Sequence, residues 1–307
     1  MSARVGLCFP GQGSQAAGMA TGLLHERVAV ELLQAAAASR LDLAGALEGD
    51  DDALRPTDIA QPALLLVEVV LARALGDADV VAVAGHSVGE YAACTVAGAL
   101  SPGAAMQLVI ERGRAMAAMR HGTMAAVLGL QASSVAELCE NASRSTGESV
   151  VVANLNAPEQ TVISGTTAAV QTASTLARQQ GARRVISLNV SGAFHSPLMA
   201  DASARFADGL DEAHIDTARV PVVCNVDAQP VTDAASLRAH LREQLTAPVR
   251  WIDCVHRMLE LGVDMLLEVG PGAVLTGLAR RIAPDIRAVS VNTIAAAHDM
   301  AATVAAR

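Results

Sequence analysis

Residues 80–100 read VVAVAGHSVGEYAACTVAGAL, and this stretch constrains the fold more tightly than any other. A run of small and β-branched apolar residues breaks at Gly85, and His86, Ser87, Val88 and Gly89 lead into helix-like sequence. The pattern is G-x-S-x-G between a strand and a helix, which sets a serine on a tight turn. The glycines allow close backbone approach and strained dihedrals, and the helix N-terminus offers free N–H groups to a developing oxyanion. The bare pattern arises often by chance. Its flanking strand and helix favour Ser87 as a nucleophile over an ordinary turn.

A buried strand feeding a helix implies a parallel sheet covered on both faces, and much of the chain alternates accordingly. Residues 4–9 (RVGLCF) predict a short buried strand, followed by a Gly-rich loop, PGQGSQ, and then helical sequence. QPALLLVEVVLARAL (61–75) predicts a helix started by Pro62, and VDMLLEVGPG another core strand and turn. Between 123 and 191 the pattern changes. TMAAVLGL, ESVVVANLN, QTVISG and RRVISLNV predict strands, and SSVAELCENAS and AAVQTASTLARQQG predict helices. The order βαββαβ is ferredoxin-like. A small subdomain over 123–191 is therefore expected to be inserted into a large α/β subdomain made of 1–122 and 192–307.

Composition narrows the function classes. The 307 residues are 52% hydrophobic but only 2% aromatic, so Ala, Val and Leu must do most of the packing. Net charge is −9 and every cation is an arginine, an acidic balance that argues against nucleic-acid binding. The five cysteines (8, 94, 139, 224 and 254) are scattered with no C-x-x-C, which suggests neither zinc nor a disulfide framework and fits a reducing compartment. Arg4 is followed by only a short apolar run before Pro10 and Gly11, unlike a signal peptide. Glu68 and Arg73 interrupt the best candidate for a membrane span. A soluble, cytoplasmic protein is expected.

A nucleophilic serine needs a base. Of the eight histidines, His86 adjoins Ser87 but points elsewhere from the turn, and His256 lies in helical sequence as a surface or satisfied core residue. His195 sits in NVSGAFHSPLM, where a strand runs into a loop between Gly192 and Pro197. Loop positions at strand ends are where bases tend to be presented.

Arg112 carries a second local argument. Read as a helix, AAMQLVIERGRAMAAM (104–119) places Ala105, Leu108, Val109, Arg112, Ala115, Met116 and Met119 on one apolar stripe, with Gln107, Glu111 and Arg114 opposite. A guanidinium in that stripe must be paired, because an unpaired buried charge costs several kcal/mol. Spacing leaves two partners open: an internal carboxylate, or the carboxylate of a ligand gripped by the planar fork.

GQGSQA (11–16) matches a dinucleotide fingerprint, with Glu31 at the acidic position about 20 residues on. That acid should end a second strand, however, and ERVAVELLQAAAAS (26–39) is helical in character. The loop is better placed to supply backbone N–H groups near the serine.

With these residues in hand, the chain resembles the malonyl-CoA:acyl carrier protein transacylase family, the acyltransferases of fatty acid and polyketide synthesis. The motifs are FPGQGSQ (9–15), TDIAQPAL (57–64), GHSVGEYAA (85–93), ERGRAM (111–116), NLNAPEQTVISG (154–165), GAFHSPLM (192–199) and EVGPG (268–272). The resemblance implies an α/β-hydrolase-like large subdomain with the ferredoxin-like insertion. It makes Ser87 the nucleophile, His195 the general base and Arg112 the grip on the free malonyl carboxylate. It puts Gln12 and the backbone N–H of Val88 at the oxyanion hole, Asn156 in the cleft wall, and the carbonyl that orients the histidine in the PVRW stretch, at Arg250. Phe194 matches the malonyl-type pattern, since a phenyl ring beside the base leaves little room for an α-methyl. Discrimination by one methyl is worth about 1–3 kcal/mol.

The expected reaction is ping-pong transfer from malonyl-CoA through a malonyl-serine to the phosphopantetheine thiol of an acyl carrier protein, with no metal or cofactor. A monomer is expected. Arg178, Arg183 and Arg184, or Arg280 and Arg281, are the candidates for a carrier-docking patch. The alternatives are a discrete polyketide synthase acyltransferase with another extender unit, an acyl hydrolase using the same serine and histidine, and a non-catalytic carrier-binding subunit.

Overall fold

The computed structural model describes residues 3–76, 79–190 and 192–305, so the expected subdomain junction at residue 191 lies outside the described residues. In chain order the strands are β1 (Val5–Phe9), β2 (Val80–Gly85), β3 (Thr123–Leu128), β4 (Val150–Ala157), β5 (Gln160–Gly165), β6 (Arg184–Ser187), β7 (Val222–Val223), β8 (Pro230–Val231), β9 (Met265–Val269) and β10 (Arg287–Val291). The helices are α1 (Arg27–Ala38), α2 (Leu43–Glu48), α3 (Thr57–Ala74), α4 (Gly89–Val96), α5 (Pro102–Ala117), α6 (Ala132–Thr146), α7 (Thr167–Gln179), α8 (Ala200–Glu212), α9 (Ala234–Glu243), α10 (Trp251–Glu260), α11 (Val274–Ile282) and α12 (Ile294–Ala305).

Two sheets result. The larger has the order β10-β9-β1-β2-β7-β8 and is parallel except for the β7–β8 pair at its edge. Its central strands β1 (VGLCF) and β9 (MLLEV) are buried at every residue, as strands covered on both faces must be. The second sheet, β4-β5-β3-β6, is antiparallel, with α6 and α7 packed on it: the ferredoxin-like arrangement that the βαββαβ order implied. Its edge strand β4 joins the rest of the molecule through Val249, whose N–H donates to the Ala153 carbonyl (2.8 Å) and whose carbonyl accepts from the Leu155 N–H (2.9 Å). No helix among the described residues is long and apolar enough to cross a membrane.

Two sequence expectations need correcting. Pro62 does not start its helix. α3 begins at Thr57 and Pro62 lies inside it, so the carbonyl of Asp58 forgoes one intrahelical bond. And PGQGSQ does not open a helix. Turns fill the chain until α1 begins at Arg27, which removes the helix N-terminus a dinucleotide pyrophosphate needs, and Glu31 lies exposed on α1.

Close approach between α3 and α5 matters for the site. A Cβ on Gly113 would fall 2.9 Å from the Asp58 Cα, so only glycine lets α5 come this near. The neighbouring residue, Arg112, then meets the buried face of α3.

Glu68, also on α3, is fully buried and neither carboxyl oxygen has a hydrogen-bond partner. Burial and the nearby Glu268 push its carboxyl well above the usual carboxylate range. Unfolded, the group ionises near 4.5; folded, it must keep its proton, so stability is lost as pH rises above that value. Glu68→Met is expected to stabilise the protein at pH 7 by about 1 kcal/mol or more, and by less at pH 5. Urea denaturation at the two pH values checks this, and a less stable variant at pH 7 would refute it.

Candidate active site

The elbow forms because two glycines let three segments interpenetrate. A Cβ on Gly85 would lie 1.9 Å from the Gly89 carbonyl carbon, and one on Gly89 would lie 2.2 Å from the Phe9 oxygen. Strand β1, the end of β2 and the start of α4 are thereby pressed together. Ser87 sits between them in the left-handed region, at φ 54°. Such backbone costs about 1–3 kcal/mol in a non-glycine residue and persists only where surroundings over-determine it. Here the surroundings are two amides. Asn225 accepts from the Ser87 N–H (2.8 Å) and donates to the Gly85 carbonyl (2.7 Å), while Gln244 Nε2 donates to the Ser87 carbonyl (3.0 Å).

His195 also adopts a left-handed backbone, φ 56°, in the loop after the second sheet. Its Nε2 lies 2.7 Å from Ser87 Oγ. Its Nδ1 faces two carbonyls, Gln244 (3.0 Å) and Ala247 (3.2 Å), which can only accept. The ring proton therefore sits on Nδ1, leaving the Nε2 lone pair for the serine hydroxyl. Burial, with the Arg112 and His86 charges adding to it, pulls the His195 pKa down to about 3. The ring is neutral at neutral pH and free to take a proton.

The carbonyl of Arg250 does not orient this histidine. It accepts from the Cys254 N–H (2.9 Å) in the first turn of α10, and the Arg250 N–H donates to Asn225 (3.0 Å). The orienting carbonyls lie three and six residues earlier, because Val249 is committed to β4 and Arg250 to α10.

Arg112 is fully buried, as its helical stripe required. Nη1 donates to Gln61 Oε1 (2.6 Å), and Nη2 to Gln244 Oε1 (3.0 Å) and to Ser87 Oγ (3.1 Å). The guanidinium carbon lies 5.6 Å from the centre of the Tyr91 ring. Among the described residues it forms no salt bridge, so the internal carboxylate that spacing left open does not touch it directly. A cation is held by neutral acceptors and aimed at the serine hydroxyl, an arrangement suited to an anion brought by a ligand.

Gln12, Val88, Arg112, Asn154, Phe194 and His195 line a cavity of about 100 Å³ above Ser87, closed by the apolar side chains of Met116, Met124, Leu188 and Val190. The backbone N–H groups of Gln12 and Val88 make no hydrogen bond among the described residues, and the Gln12 side chain is fixed by Thr57 Oγ1 (3.1 Å). Asn156 is not part of this wall. Its Oδ1 lies 2.8 Å from His86 Nε2, and Asn154 faces the cavity instead. Bulges in β4 on either side of Asn154 and Leu155 interrupt the strand's alternation and re-aim its side chains. A larger open groove of about 830 Å³ between α6 and β4 contains none of these residues; volume there does not coincide with chemistry. The candidate docking arginines 178, 183, 184, 280 and 281 are all exposed, but Arg281 hydrogen-bonds Gln160 and Arg280 the Ala288 carbonyl (3.3 Å).

Sequence reasoning missed Gln61, Asn225, Gln244 and Glu90. All four are fully buried; Gln61 and Glu90 lie inside the motifs TDIAQPAL and GHSVGEYAA, with Glu90 beside the elbow on the first turn of α4, whereas Asn225 and Gln244 carried no local signal.

The acyl transferase domain family matches residues 7–301 of the chain. A malonyl CoA-acyl carrier protein transacylase of Bacillus subtilis (strain 168) is 38% identical over 297 residues, covering 94% of this chain and 93% of the relative. The malonyl CoA-acyl carrier protein transacylase from Coxiella burnetii superposes with a TM-score of 0.93 at 36% identity, covering 99% of this chain and 98% of that one. A malonyl-transacylase solved in complex with a type II PKS acyl-carrier protein superposes with a TM-score of 0.92 at 34% identity, covering 98% and 100%.

Proposed function

The chain belongs to the acyl transferase family, and on that footing we propose that Ser87 carries a malonyl group from coenzyme A to an acyl carrier protein. The protein is an acyltransferase, its substrate malonyl-CoA and its partner the carrier. The observation that carries the assignment of roles is the buried Arg112, touching no carboxylate directly among the described residues, hydrogen-bonded to the hydroxyl of a serine that also meets His195 Nε2.

His195 takes the proton from Ser87 Oγ as the oxygen attacks the thioester carbonyl. The oxyanion that forms meets the N–H groups of Val88 and Gln12. As it collapses, the carbon–sulfur bond breaks and coenzyme A leaves with the proton from His195. A malonyl-serine ester remains, its carboxylate on Arg112. The phosphopantetheine thiol of the carrier then gives its proton to His195 and attacks the ester, releasing Ser87 with its hydroxyl restored. Hydrogen bonds to the Gln244 and Ala247 carbonyls support the imidazolium that appears in each half-reaction, in place of a third acidic side chain. The apolar lining of Met116, Met124, Leu188, Val190 and Phe194 favours a thiol over water as the second nucleophile. The scheme needs no metal or cofactor and suits a cytoplasmic protein whose five cysteines are unpaired and buried.

The test is intact-mass measurement after brief mixing with malonyl-CoA, followed by addition of a holo carrier protein. The expected result is a malonyl adduct that moves to the carrier thiol. Loss of the adduct to water as fast as to the thiol would make the protein a hydrolase instead.

Phe194, 5% exposed and beside the base, bounds the space at the acyl α-carbon. Phe194→Ala is expected to raise labelling by methylmalonyl-CoA relative to malonyl-CoA by on the order of tenfold, the value of one methyl group in an apolar pocket. Competition between the two thioesters for one sample of enzyme measures it, and an unchanged ratio would show that Phe194 does not set this limit.

A further inference from the structure

Glu90 is fully buried on α4, three residues beyond the serine. One carboxyl oxygen, Oε2, accepts from the Asn225 N–H and from Gln244 Nε2, both at 2.9 Å. The other, Oε1, has no hydrogen-bond partner. The two donors are the residues that hold the Ser87 peptide from either side. That bracing uses a single oxygen, which an uncharged amide would supply equally well. The orphaned second oxygen makes a carboxylate costly here, so hydrogen bonding alone does not account for it.

Its charge faces His240 and Arg112, and of the two His240 already has Asp227 at 3.1 Å. Gln244 bridges Glu90 and Arg112 through the two ends of one amide: Nε2 donates to Glu90 and Oε1 accepts from Arg112 Nη2 (3.0 Å). We propose that Glu90 is the resting counter-ion of Arg112, relayed through the Gln244 amide, and that it thereby sets how tightly Ser87 retains a carboxylate-bearing acyl group. The inference rests on reading Arg112 as the group that meets the acyl carboxylate. A malonyl carboxylate arriving at Arg112 competes with Glu90 for the same positive charge. Glu90 thus weakens the hold on the malonyl group, keeping the ester from becoming a trap before the thiol arrives. It is a positioning residue, acting through Arg112 and Ser87 and not on the acyl group itself.

The other titratable groups facing Glu90 are few. Arg112 reaches it from α5 and His240 from α9; Cys224 follows β7, Cys254 lies on α10, and Tyr91 and Cys94 share its own helix. Burial pushes the phenol and the thiols up, so they stay neutral. His240 is paired with Asp227 at 3.1 Å. Burial likewise pushes Glu90 up, to about 7, against the pull of its hydrogen bonds and of the His240 and Arg112 charges. Its carboxylate is therefore lost as pH falls through neutrality, whereas His195, at about 3, stays neutral across that range.

The experiment is the acyl-exchange equilibrium between enzyme and malonyl-CoA at a fixed malonyl-CoA to coenzyme A ratio. It is read as the fraction of malonyl-enzyme by intact mass from pH 6 to pH 8. Both thioester and thiol carry the same phosphates, so their titration cancels. For the wild type, the exchange constant is expected to rise on the order of tenfold from pH 8 to pH 6, the linkage equivalent of about one unit of displaced pKa. Glu90→Gln keeps the accepting oxygen and removes the charge. Its exchange constant is expected to be flat with pH and near the wild-type value at pH 6. A bracing role alone would leave the exchange constant independent of pH in both proteins. A flat wild-type profile overturns the proposal, and so does a variant that follows the wild type, which would assign the titration to His240. If Glu90→Gln does not fold, the wild-type profile still decides. Absence of any malonyl-enzyme on the wild type would instead overturn the transfer reading, and this one with it.

Discussion

Ser87→Ala is expected to take no acyl group from malonyl-CoA, and its transfer rate to fall by on the order of 10⁴–10⁶-fold, as when a nucleophile that acts as a unit with its base is removed. The substitution is small and its fold cost low, because the two hydrogen bonds it removes, to His195 Nε2 and from Arg112 Nη2, belong to the hydroxyl alone. The left-handed backbone at φ 54° is held by Asn225 and Gln244 through main-chain atoms that alanine keeps. A folded variant with an empty mass spectrum is therefore the expected outcome. A malonyl adduct that persists on Ser87→Ala would place the nucleophile elsewhere and dissolve the proposed mechanism.

Arg112→Ala is expected to abolish the preference for malonyl over acetyl groups, lowering malonyl labelling by on the order of 10²-fold or more. Truncating one member of a buried, hydrogen-bonded charge pair costs about 2–5 kcal/mol, and the direct pair here is the one Arg112 makes with the acyl carboxylate. Acetyl labelling has no such partner to lose. It is expected to persist at the wild-type level or rise, which makes it the internal control for an intact Ser87 and His195. Arg112→Lys is not an equivalent replacement. The guanidinium spans Gln61 Oε1 and Gln244 Oε1 with separate nitrogens, and a single ammonium has no such fork. Competition labelling with malonyl-CoA and acetyl-CoA checks both variants. Wild-type enzyme that takes the two groups equally would sink the clamp, as would an Arg112→Ala protein that still prefers malonyl.

Much of this site was legible in one dimension because its parts obey local periodicities. The elbow is visible at Gly85 and Gly89 since close approach admits only glycine there. Arg112 is visible because a 3.6-residue repeat fixes which face of α5 it shares with Leu108, Val109 and Met116, all buried. The βαββαβ order gave the small sheet because strand and helix periods differ. Pro62 misled because an N-terminal proline is the commoner case, and nothing nearby reveals that Thr57 already begins the helix. The Arg250 assignment failed for a different reason. Which carbonyl is free depends on what the neighbouring main chain pairs with: the Val249 carbonyl is taken by Leu155 of β4, remote in sequence, and the Arg250 carbonyl by the Cys254 N–H in the first turn of α10. Asn156, which the resemblance put in the cleft wall, meets His86 instead, and Asn154 takes the wall position, because bulges in β4 re-aim side chains without any mark in composition.

The sequence by itself determined the strand-to-helix elbow, the serine on it, the arginine buried on its helix and the histidine at a loop, because each follows from contacts within a few residues. Only the tertiary structure decided what those groups meet. Gln244 joins them: its carbonyl to His195, its amide to Arg112, Ser87 and Glu90. It lies 157 residues from Ser87 along the chain. No period relates positions so far apart; packing of α9 and its following loop against the elbow brings them together, and a buried polar side chain must then find its partners among whatever that packing presents.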